Sequence, residues 1–217
     1  MKTLIIDDNH SFIDLLKNAL QPFRMQIDSY YKFSEARNVL FKNGSYFNQT
    51  VANEILKHHE NVVKSTNLTQ PPAPVLETPL INQNGYGLIF LEYDAEPSMK
   101  GHHFIQDVLK NQKNWSEKNF ILMSSDPGRI ESIAKKLNVA FVEKPLKKDQ
   151  LLKLVHESVQ FMTQKENELN QLIEKYGITF NLSEKQNTTR KKISPSPKKK
   201  TKKKVSARSL QKGAASR

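Results

Sequence analysis

The sequence predicts an α/β fold in which a five-stranded parallel sheet carries helices on both faces. Short apolar runs alternate along the chain with segments of helical periodicity, as in successive strand–helix–strand units. Two of the runs, residues 88–91 and 120–123, contain no polar residue, which is typical of parallel strands buried on both faces. Several runs also end in acidic or hydroxyl side chains, as expected where strand ends meet at a ligand-binding edge.

The first part of the chain predicts two strands and two helices. Residues 2–6 form a short apolar strand that ends at Asp7 and Asp8, and residues 25–31 alternate between apolar and polar side chains, as a second strand does. The helix between them has an apolar face made of Phe12, Leu15, Leu16, Ala19 and Leu20. A second helix is expected over residues 35–42.

Residues 43–84 interrupt this alternation and are interpreted as an insertion rather than as a domain. One amphipathic helix is expected there, with an apolar face made of Val51, Ile55, Leu56, Val62 and Val63. Residues 65–84 are rich in Thr, Asn, Gln and Pro, a composition that favours an extended, mobile connector.

The second half of the chain continues the alternation with three strands and three helices. The predicted elements are, in order, a strand over residues 88–92, a helix over 103–111, a strand over 120–123, a helix over 127–137, a strand over 139–142 and a helix capped by Asp149. No Gly-rich phosphate-binding loop follows the first strand and no nucleophile–base pair is apparent in the sequence. An enzyme on this sheet is therefore disfavoured.

Four predicted strand ends carry polar side chains that would meet at one edge of the parallel sheet: Asp7 with Asp8, Glu92, Ser124 and Lys144. Carboxylates held this close repel one another unless a cation compensates them. Hard oxygen ligands suit Mg²⁺, and Lys144 would add a fixed positive charge. Such a site could hold a phosphoryl group, because the two cations neutralise its oxygens. A simpler alternative is that Asp7 and Asp8 only cap the first helix.

On the basis of these strand-end residues, residues 2–162 resemble a response-regulator receiver domain of two-component signalling. Asp7 and Asp8 match the paired metal-binding acids of that family, and Ser124 matches its hydroxyl at the end of the fourth strand. Lys144 matches the family's lysine, and Phe141 matches the aromatic switch position three residues before it. The resemblance implies a flavodoxin-like fold, a bound Mg²⁺ ion and an interaction with a histidine kinase or an effector protein.

The sequence departs from the family at the residue that should accept the phosphoryl group. Residues 97–101 resemble the family's Pro-x-Met-Asp-Gly loop, whose proline follows the acceptor aspartate by four residues. Here Glu92 follows the apolar run directly but lies five residues before the proline. We therefore assign the acceptor position, and the third place in the metal site, to Glu92. Asp94 is the alternative if the strand runs two residues further.

This substitution predicts an atypical receiver, or pseudo-receiver, in which phosphotransfer is weak or lost. Glutamate is one methylene longer than aspartate, and small displacements of a nucleophile from in-line geometry cost about 10²-fold in rate. The longer carboxylate of Glu92 can instead approach Lys144 and partly imitate a phosphorylated aspartate. The alternative is a working phosphorelay receiver that uses Asp94 as its acceptor.

The last helix is predicted to run past the receiver-like region, through an extension at residues 163–177, and to stop at Gly177. A heptad seam with one polar member runs along it, made of Val155, Val159, Met162, Glu166, Leu169, Ile173 and Tyr176. Either this helix folds back onto its own domain, or it forms a short coiled coil in a homodimer.

Residues 178–217 are predicted to form a disordered, Lys-rich tail. The thirteen Lys and Arg and the single Glu of residues 184–217 account for the whole net charge of +12, so the rest of the chain is neutral. Polyanion binding is expected at its densest cluster, Lys198, Lys199, Lys200, Lys202, Lys203 and Lys204. Without aromatic residues between the lysines, binding to nucleic acid would not depend on its sequence. An anionic membrane surface, an acidic protein and a merely solubilising tail are the alternatives.

Composition excludes several other classes of protein. The chain has no cysteine, so neither a disulfide framework nor a thiolate metal site can form. No apolar run is long enough to cross a bilayer, and acidic residues follow the first strand too soon for a secretory signal. We therefore expect a cytoplasmic protein.

Overall fold

The computed structural model, which describes residues 1–65 and 71–181, contains the predicted five-stranded parallel sheet. Its strands are β1 (Lys2–Ile6), β2 (Gln26–Tyr30), β4 (Tyr86–Glu92), β5 (Phe120–Ser124) and β6 (Ala140–Glu143). They lie in the order β2-β1-β4-β5-β6, and each neighbouring pair is parallel. This is the strand order of the flavodoxin-like fold, so the fold prediction is confirmed.

Six helices complete the described part of the chain. They are α1 (His10–Leu20), α2 (Phe33–Asn43), α3 (Gln49–Lys64), α4 (Gly101–Asn111), α5 (Pro127–Leu137) and α6 (Lys148–Tyr176). Buried side chains of α1 and α6 share one apolar cluster with the sheet, and those of α2, α4 and α5 share another. The sheet is therefore covered on both faces, and every residue of the central strand β4 is buried.

The insertion is more ordered than its composition predicts. Two short strands, β3 (Val75–Leu76) and β7 (Thr179–Phe180), pair in parallel as a separate two-stranded sheet. Leu80 and Ile178 are each only 5% exposed. The mobile connector predicted for residues 65–84 is therefore wrong for residues 75–76 and 80, and the predicted tail begins too early at residue 178. Residues 66–70 and 182–217 lie outside the described residues.

Helix α3 packs against the extension of α6. Val51, Ala52 and Ile55 of α3 share a third apolar cluster with Leu169 of α6. A hydrogen bond of 2.6 Å between the His59 Nδ1 and the Tyr176 hydroxyl joins the same two helices. The apolar face of α3 is narrower than predicted, because Leu56 and Val63 are exposed. Leu15 of α1 is exposed as well, at 52%.

Helix α6 spans 29 residues and ends as predicted at Gly177, which adopts the left-handed conformation with φ = 62°. The apolar side chains of its heptad seam pack against other parts of the same chain. Val155, Val159 and Met162 contact the cluster around the sheet, whereas Leu169, Ile173 and Tyr176 contact the cluster around α3. In this structure the helix folds back onto its own domain, so a coiled coil would have to take these side chains from their intramolecular partners.

Among the helices of the described ranges, none combines the length and the apolarity needed to cross a membrane.

The contact between α3 and α6 predicts a stability difference between two identical substitutions. Leu169→Ala should lower the free energy of unfolding by about 2–5 kcal/mol, because it leaves a cavity between the helices. Leu56→Ala, at a side chain that is 39% exposed, is the matched control and should cost about 1 kcal/mol or less. Urea unfolding followed by circular dichroism measures both values. Equal losses would show that Leu169 does not hold the two helices together.

Candidate functional site

The carboxyl end of the sheet brings together the polar residues that the sequence places at strand ends. Asp7 directly follows β1, Glu92 is the last residue of β4, and Ser124 is the last residue of β5. Lys144 directly follows β6, and its backbone N–H donates a hydrogen bond of 2.8 Å to the carbonyl of Ser124. The pairing of β5 with β6 therefore fixes the backbone position of Lys144.

The Lys144 ammonium is held by three groups. Its Nζ lies 2.5 Å from Asp7 Oδ2 and forms a second ion pair with Glu92 Oε2. It also lies 3.9 Å from the centroid of the Phe12 ring, in a cation–π contact. The side chains of Lys144, Asp7 and Glu92 are 12%, 0% and 10% exposed. Little water is left to screen these interactions, so the three charges depend strongly on one another.

Burial dominates the ionisation of both carboxyl groups. Desolvation raises the pKa of Asp7 above its ordinary value of 3.8, although the hydrogen bond and the positive charge of Lys144 act in the opposite direction. Desolvation likewise raises the pKa of Glu92 above 4.5, opposed by Lys144 and reinforced by the negative charge of Asp7. The ammonium therefore favours the charged form of both groups in a place where burial disfavours it.

The residues predicted to hold Mg²⁺ do not form a suitable set of ligands. Asp7 already accepts hydrogen bonds on both oxygens, from the backbone N–H of Asn9 and from Lys144. Asp8 is exposed, and Glu92 is paired with Lys144. Within residues 1–65 and 71–181, no group of three or more His, Cys, Asp or Glu side chains could hold a metal ion. The positive charge that the carboxylates require comes here from Lys144.

Of the two candidates for the acceptor position, Glu92 is the one that contacts Lys144. Asp94 lines the same cleft but is exposed and forms an ion pair with Lys100. The loop between Tyr93 and Gly101 is closed by a hydrogen bond of 2.7 Å, which the backbone N–H of Gly101 donates to the carbonyl of Tyr93. A Cβ at Gly101 would lie 3.1 Å from the Tyr93 Cα, so a larger residue would strain this turn.

A contact that the sequence did not predict anchors this loop to α2. Glu96 accepts a 3.2 Å hydrogen bond from the backbone N–H of Ser34, in the first turn of that helix. Its other oxygen accepts a 3.1 Å bond from the hydroxyl of Ser98. A carboxylate is favourable at a helix N-terminus, where backbone N–H groups are free. The loop that follows the central strand is therefore held at both ends and in its middle.

Of the predicted residues Ser124 and Phe141, Ser124 lines this cleft and Phe141 does not. Ser124 is buried and lines it, and its hydroxyl accepts a 3.1 Å hydrogen bond from the backbone N–H of Asp126. Phe141 is half-buried, packs against the apolar cluster of α2, α4 and α5, and lines a different cleft. The six tail lysines predicted to bind polyanions lie outside the described residues.

Phe12 is the functional residue that sequence reasoning missed, because its helical spacing assigned it to the buried face of α1. Asn9 caps that helix by accepting a 3.1 Å hydrogen bond from the Phe12 backbone N–H. The cap sets the start of α1 at His10, three residues after Asp7, and Phe12 in its first turn contacts the lysine. Its position five residues after Asp7 is the only trace of this role in the sequence.

Comparisons with known proteins find solved structures of low sequence identity, and the TM-scores of the three described below are under 0.5. The chain is similar to the solved structure of a putative two-component system response regulator/GGDEF domain protein, with 13% identity, a TM-score of 0.48 and coverage of 75% of this chain and 50% of that chain. A response regulator receiver domain protein from Clostridium thermocellum gives 12% identity and a TM-score of 0.49, covering 75% of this chain and 97% of that chain. A two-component response regulator from Clostridium difficile gives 18% identity and a TM-score of 0.48, covering 75% of this chain and 98% of that chain. No family model and no curated protein matches the sequence.

The buried ion pairs predict a large cost for removing their shared cation. Lys144→Met should lower the free energy of unfolding at neutral pH by about 3–5 kcal/mol, because it leaves two buried carboxylates without a partner. The loss should shrink as the pH is lowered from about 7 to about 5, because the variant's carboxyl groups have pKa values raised still further and take up protons in the folded state.

Lys100→Met is the matched control, since Lys100 forms an ion pair with Asp94 at an exposed site. It should cost less than about 1 kcal/mol at either pH, because water screens exposed ion pairs. Urea denaturation at the two pH values measures all four numbers. A Lys144→Met variant as stable as the Lys100→Met variant would contradict the role given to Lys144.

Proposed function

We propose that this chain is an atypical receiver-like signalling module in which the ion pair between Glu92 and Lys144 takes the place of phosphorylation. The observation that carries the proposal is the pairing of Lys144 with both Asp7 and Glu92 under the ring of Phe12. A signalling site of this kind would present one fixed arrangement rather than switch between a free and a phosphorylated state. Its output would be contact with a protein partner, such as a histidine kinase or an effector.

The charge of the cleft supports weak or absent phosphotransfer. Four carboxyl side chains line it, from Asp8, Glu92, Asp94 and Asp126, and among the described residues Lys144 is its single lysine. That lysine is already paired, and neither Asp8 nor Asp126 forms an ion pair within the described part of the chain, so an incoming phosphoryl group would meet negative charge that no cation compensates. The cleft has a volume of about 420 Å³, so in this proposal charge rather than space opposes the binding of a phosphoryl group.

The geometry of Glu92 supports the same conclusion. Its carboxylate would have to leave Lys144 before it could attack a phosphorus atom in line, and the ammonium would keep only Asp7 as its anionic partner. Removing one partner from a buried charge pair is strongly unfavourable. This cost in free energy would add to the loss of rate caused by the longer side chain. Glu92 would therefore accept a phosphoryl group much more slowly than an aspartate does.

We also propose, from composition alone, that the basic tail binds a polyanion. Residues 184–217 carry thirteen basic residues and one acidic residue, so they attract phosphate-rich polymers through counterion release. Such a tail would concentrate the receiver-like domain on a nucleic acid without selecting a sequence.

The phosphotransfer proposal predicts that acetyl phosphate will not modify the wild-type chain stoichiometrically in the presence of Mg²⁺. Intact-mass spectrometry measures the adduct directly. Wild-type, Glu92→Asp and Asp94→Asn chains should be compared under the same conditions. Glu92→Asp shortens the side chain at the acceptor position, and it should be the variant with the highest adduct yield, because its carboxylate no longer reaches Lys144 as closely.

A stoichiometric adduct on the wild-type chain would overturn the proposal. If the adduct disappears in Asp94→Asn, the phosphorelay alternative with Asp94 as acceptor is correct. If it persists in that variant and maps to Glu92, the buried ion pair does not prevent phosphotransfer.

The tail proposal predicts salt-dependent binding to mixed-sequence duplex DNA. Fluorescence anisotropy should show binding by the full chain at about 50 mM salt and a loss of at least about tenfold in affinity at about 200 mM salt. Deletion of residues 184–217 is the control and should abolish binding at both salt concentrations. Equal signals from the full and the shortened chains would show that the tail does not bind the duplex.

A further inference from the structure

A second and larger cleft lies beside β6, which is an edge strand of the five-stranded sheet. Its volume is about 860 Å³, within the range of about 300–1,000 Å³ that is usual for small-molecule sites. Its walls come from α5, β6 and α6 and from the residues around the start of α3. It shares no lining residue with the cleft at Lys144, so it is a separate site.

Large apolar side chains form much of this cleft. Phe141 of β6 and Leu154, Phe161 and Met162 of α6 all line it. Phe161 is 50% exposed, and the other three are only half-buried. Grouped apolar side chains that remain open to solvent are typical of binding sites rather than of ordinary protein surface.

Three lysines add positive charge to the same cleft. Lys118, Lys135 and Lys165 line it, and none of them forms an ion pair within the described residues. The cleft also contains Glu131 and Glu157, and Glu157 lies 3.9 Å from Lys153 outside it. Cationic groups without acidic partners therefore outnumber the anionic groups that could neutralise them.

Lys165 is the lysine best placed to bind an anion. It is half-buried, donates a 3.1 Å hydrogen bond to the Gln49 side-chain oxygen, and lies 5.1 Å from the centroid of the Phe47 ring. Burial lowers the pKa of its amine. A partly desolvated ammonium gains more from an anionic partner than an exposed one does, because the surrounding medium screens the pair less.

We propose that this cleft binds an amphipathic organic anion, with its carboxylate, sulfonate or phosphate group at Lys165 and its apolar body against Phe141, Phe161 and Met162. Charge complementarity selects the anionic group, and the volume and apolar lining select a body of about the size of a drug molecule. The proposal does not depend on whether the Lys144 site can be phosphorylated.

The site uses the two segments that depart from the receiver pattern. Phe47 and Gln49 belong to the insertion at residues 43–84, and Lys165 belongs to the extension of the last helix. Their contact holds the ammonium at the end of the cleft. The insertion and the extension therefore have a common purpose in this proposal, which is to complete a binding site at the edge of the sheet.

The test compares two fluorescent probes that share a ring system and differ in charge. The anionic probe is 8-anilinonaphthalene-1-sulfonate, and the neutral probe is N-phenyl-1-naphthylamine. Both are titrated into the full wild-type chain, into Lys165→Met and into Lys148→Met, which removes an exposed lysine of the same helix that does not line the cleft. Salt at about 200 mM is present throughout to suppress binding to the basic tail.

The wild-type chain should bind the anionic probe at one saturable site. Lys165→Met should weaken that binding about tenfold, and the affinity for the neutral probe should change by no more than about twofold. Lys148→Met should leave both affinities unchanged. A third variant, Ser158→Trp, places a large side chain in the cleft and should abolish the binding of both probes. Circular dichroism checks that each variant is folded, and Lys165→Arg, which keeps the charge, should retain the anionic probe.

Three results would overturn the proposal. The first is the absence of saturable binding of the anionic probe to the wild-type chain. The second is an unchanged affinity for that probe in Lys165→Met. The third is an equal loss of both probes in folded Lys165→Met, which would show that Lys165 shapes the cleft without binding the anionic group.

Discussion

The ammonium of Lys144 between two buried carboxylates is the interaction on which the carboxyl end of this sheet depends. Asp7 and Lys144 lie 137 residues apart in the chain, and Glu92 comes from β4, one of the two strands that lie between β1 and β6 in the sheet. Burial raises the pKa of both acids, whereas the lysine favours their charged forms. A divalent cation is one way to satisfy such a cluster, and a lysine in contact with both acids is another.

The rest of the sheet edge is organised to keep that network in one conformation. The loop after β4 is closed on itself, is tied to α2 through Glu96, and leaves Asp94 paired with Lys100. Phe12 covers the ammonium from the side of α1. A site that switches needs a second arrangement only a few kcal/mol away, and these contacts all stabilise the same arrangement.

The sheet and the residues at its carboxyl end could be predicted from sequence because both follow from local rules. Apolar runs identify the strands, and parallel strands place Asp7, Glu92, Ser124 and Lys144 at one edge whatever the loops between them do. The features that the sequence did not predict depend on contacts between distant segments. The pairing of β3 with β7 joins residues about a hundred positions apart in the sequence, and neither strand is long enough to leave a pattern of its own. Whether Lys144 or a metal ion compensates the acids likewise depends on a side-chain geometry that sequence spacing does not contain.

Strand β6 connects the two clefts. Its residue Phe141 lines the larger cleft, and Lys144, directly after its end, forms the ion pairs of the smaller one. The hydrogen bond from the Lys144 backbone to Ser124 and the ladder to β5 hold the strand in register. Because the lysine is fixed by Asp7 and Glu92 without any modification, the strand is fixed as well. The wall of the larger cleft is then preorganised, and a ligand that binds there does not have to supply the free energy needed to order it. The ion-paired end of the sheet would in this way act as a rigid support for a second site at the edge of the same sheet.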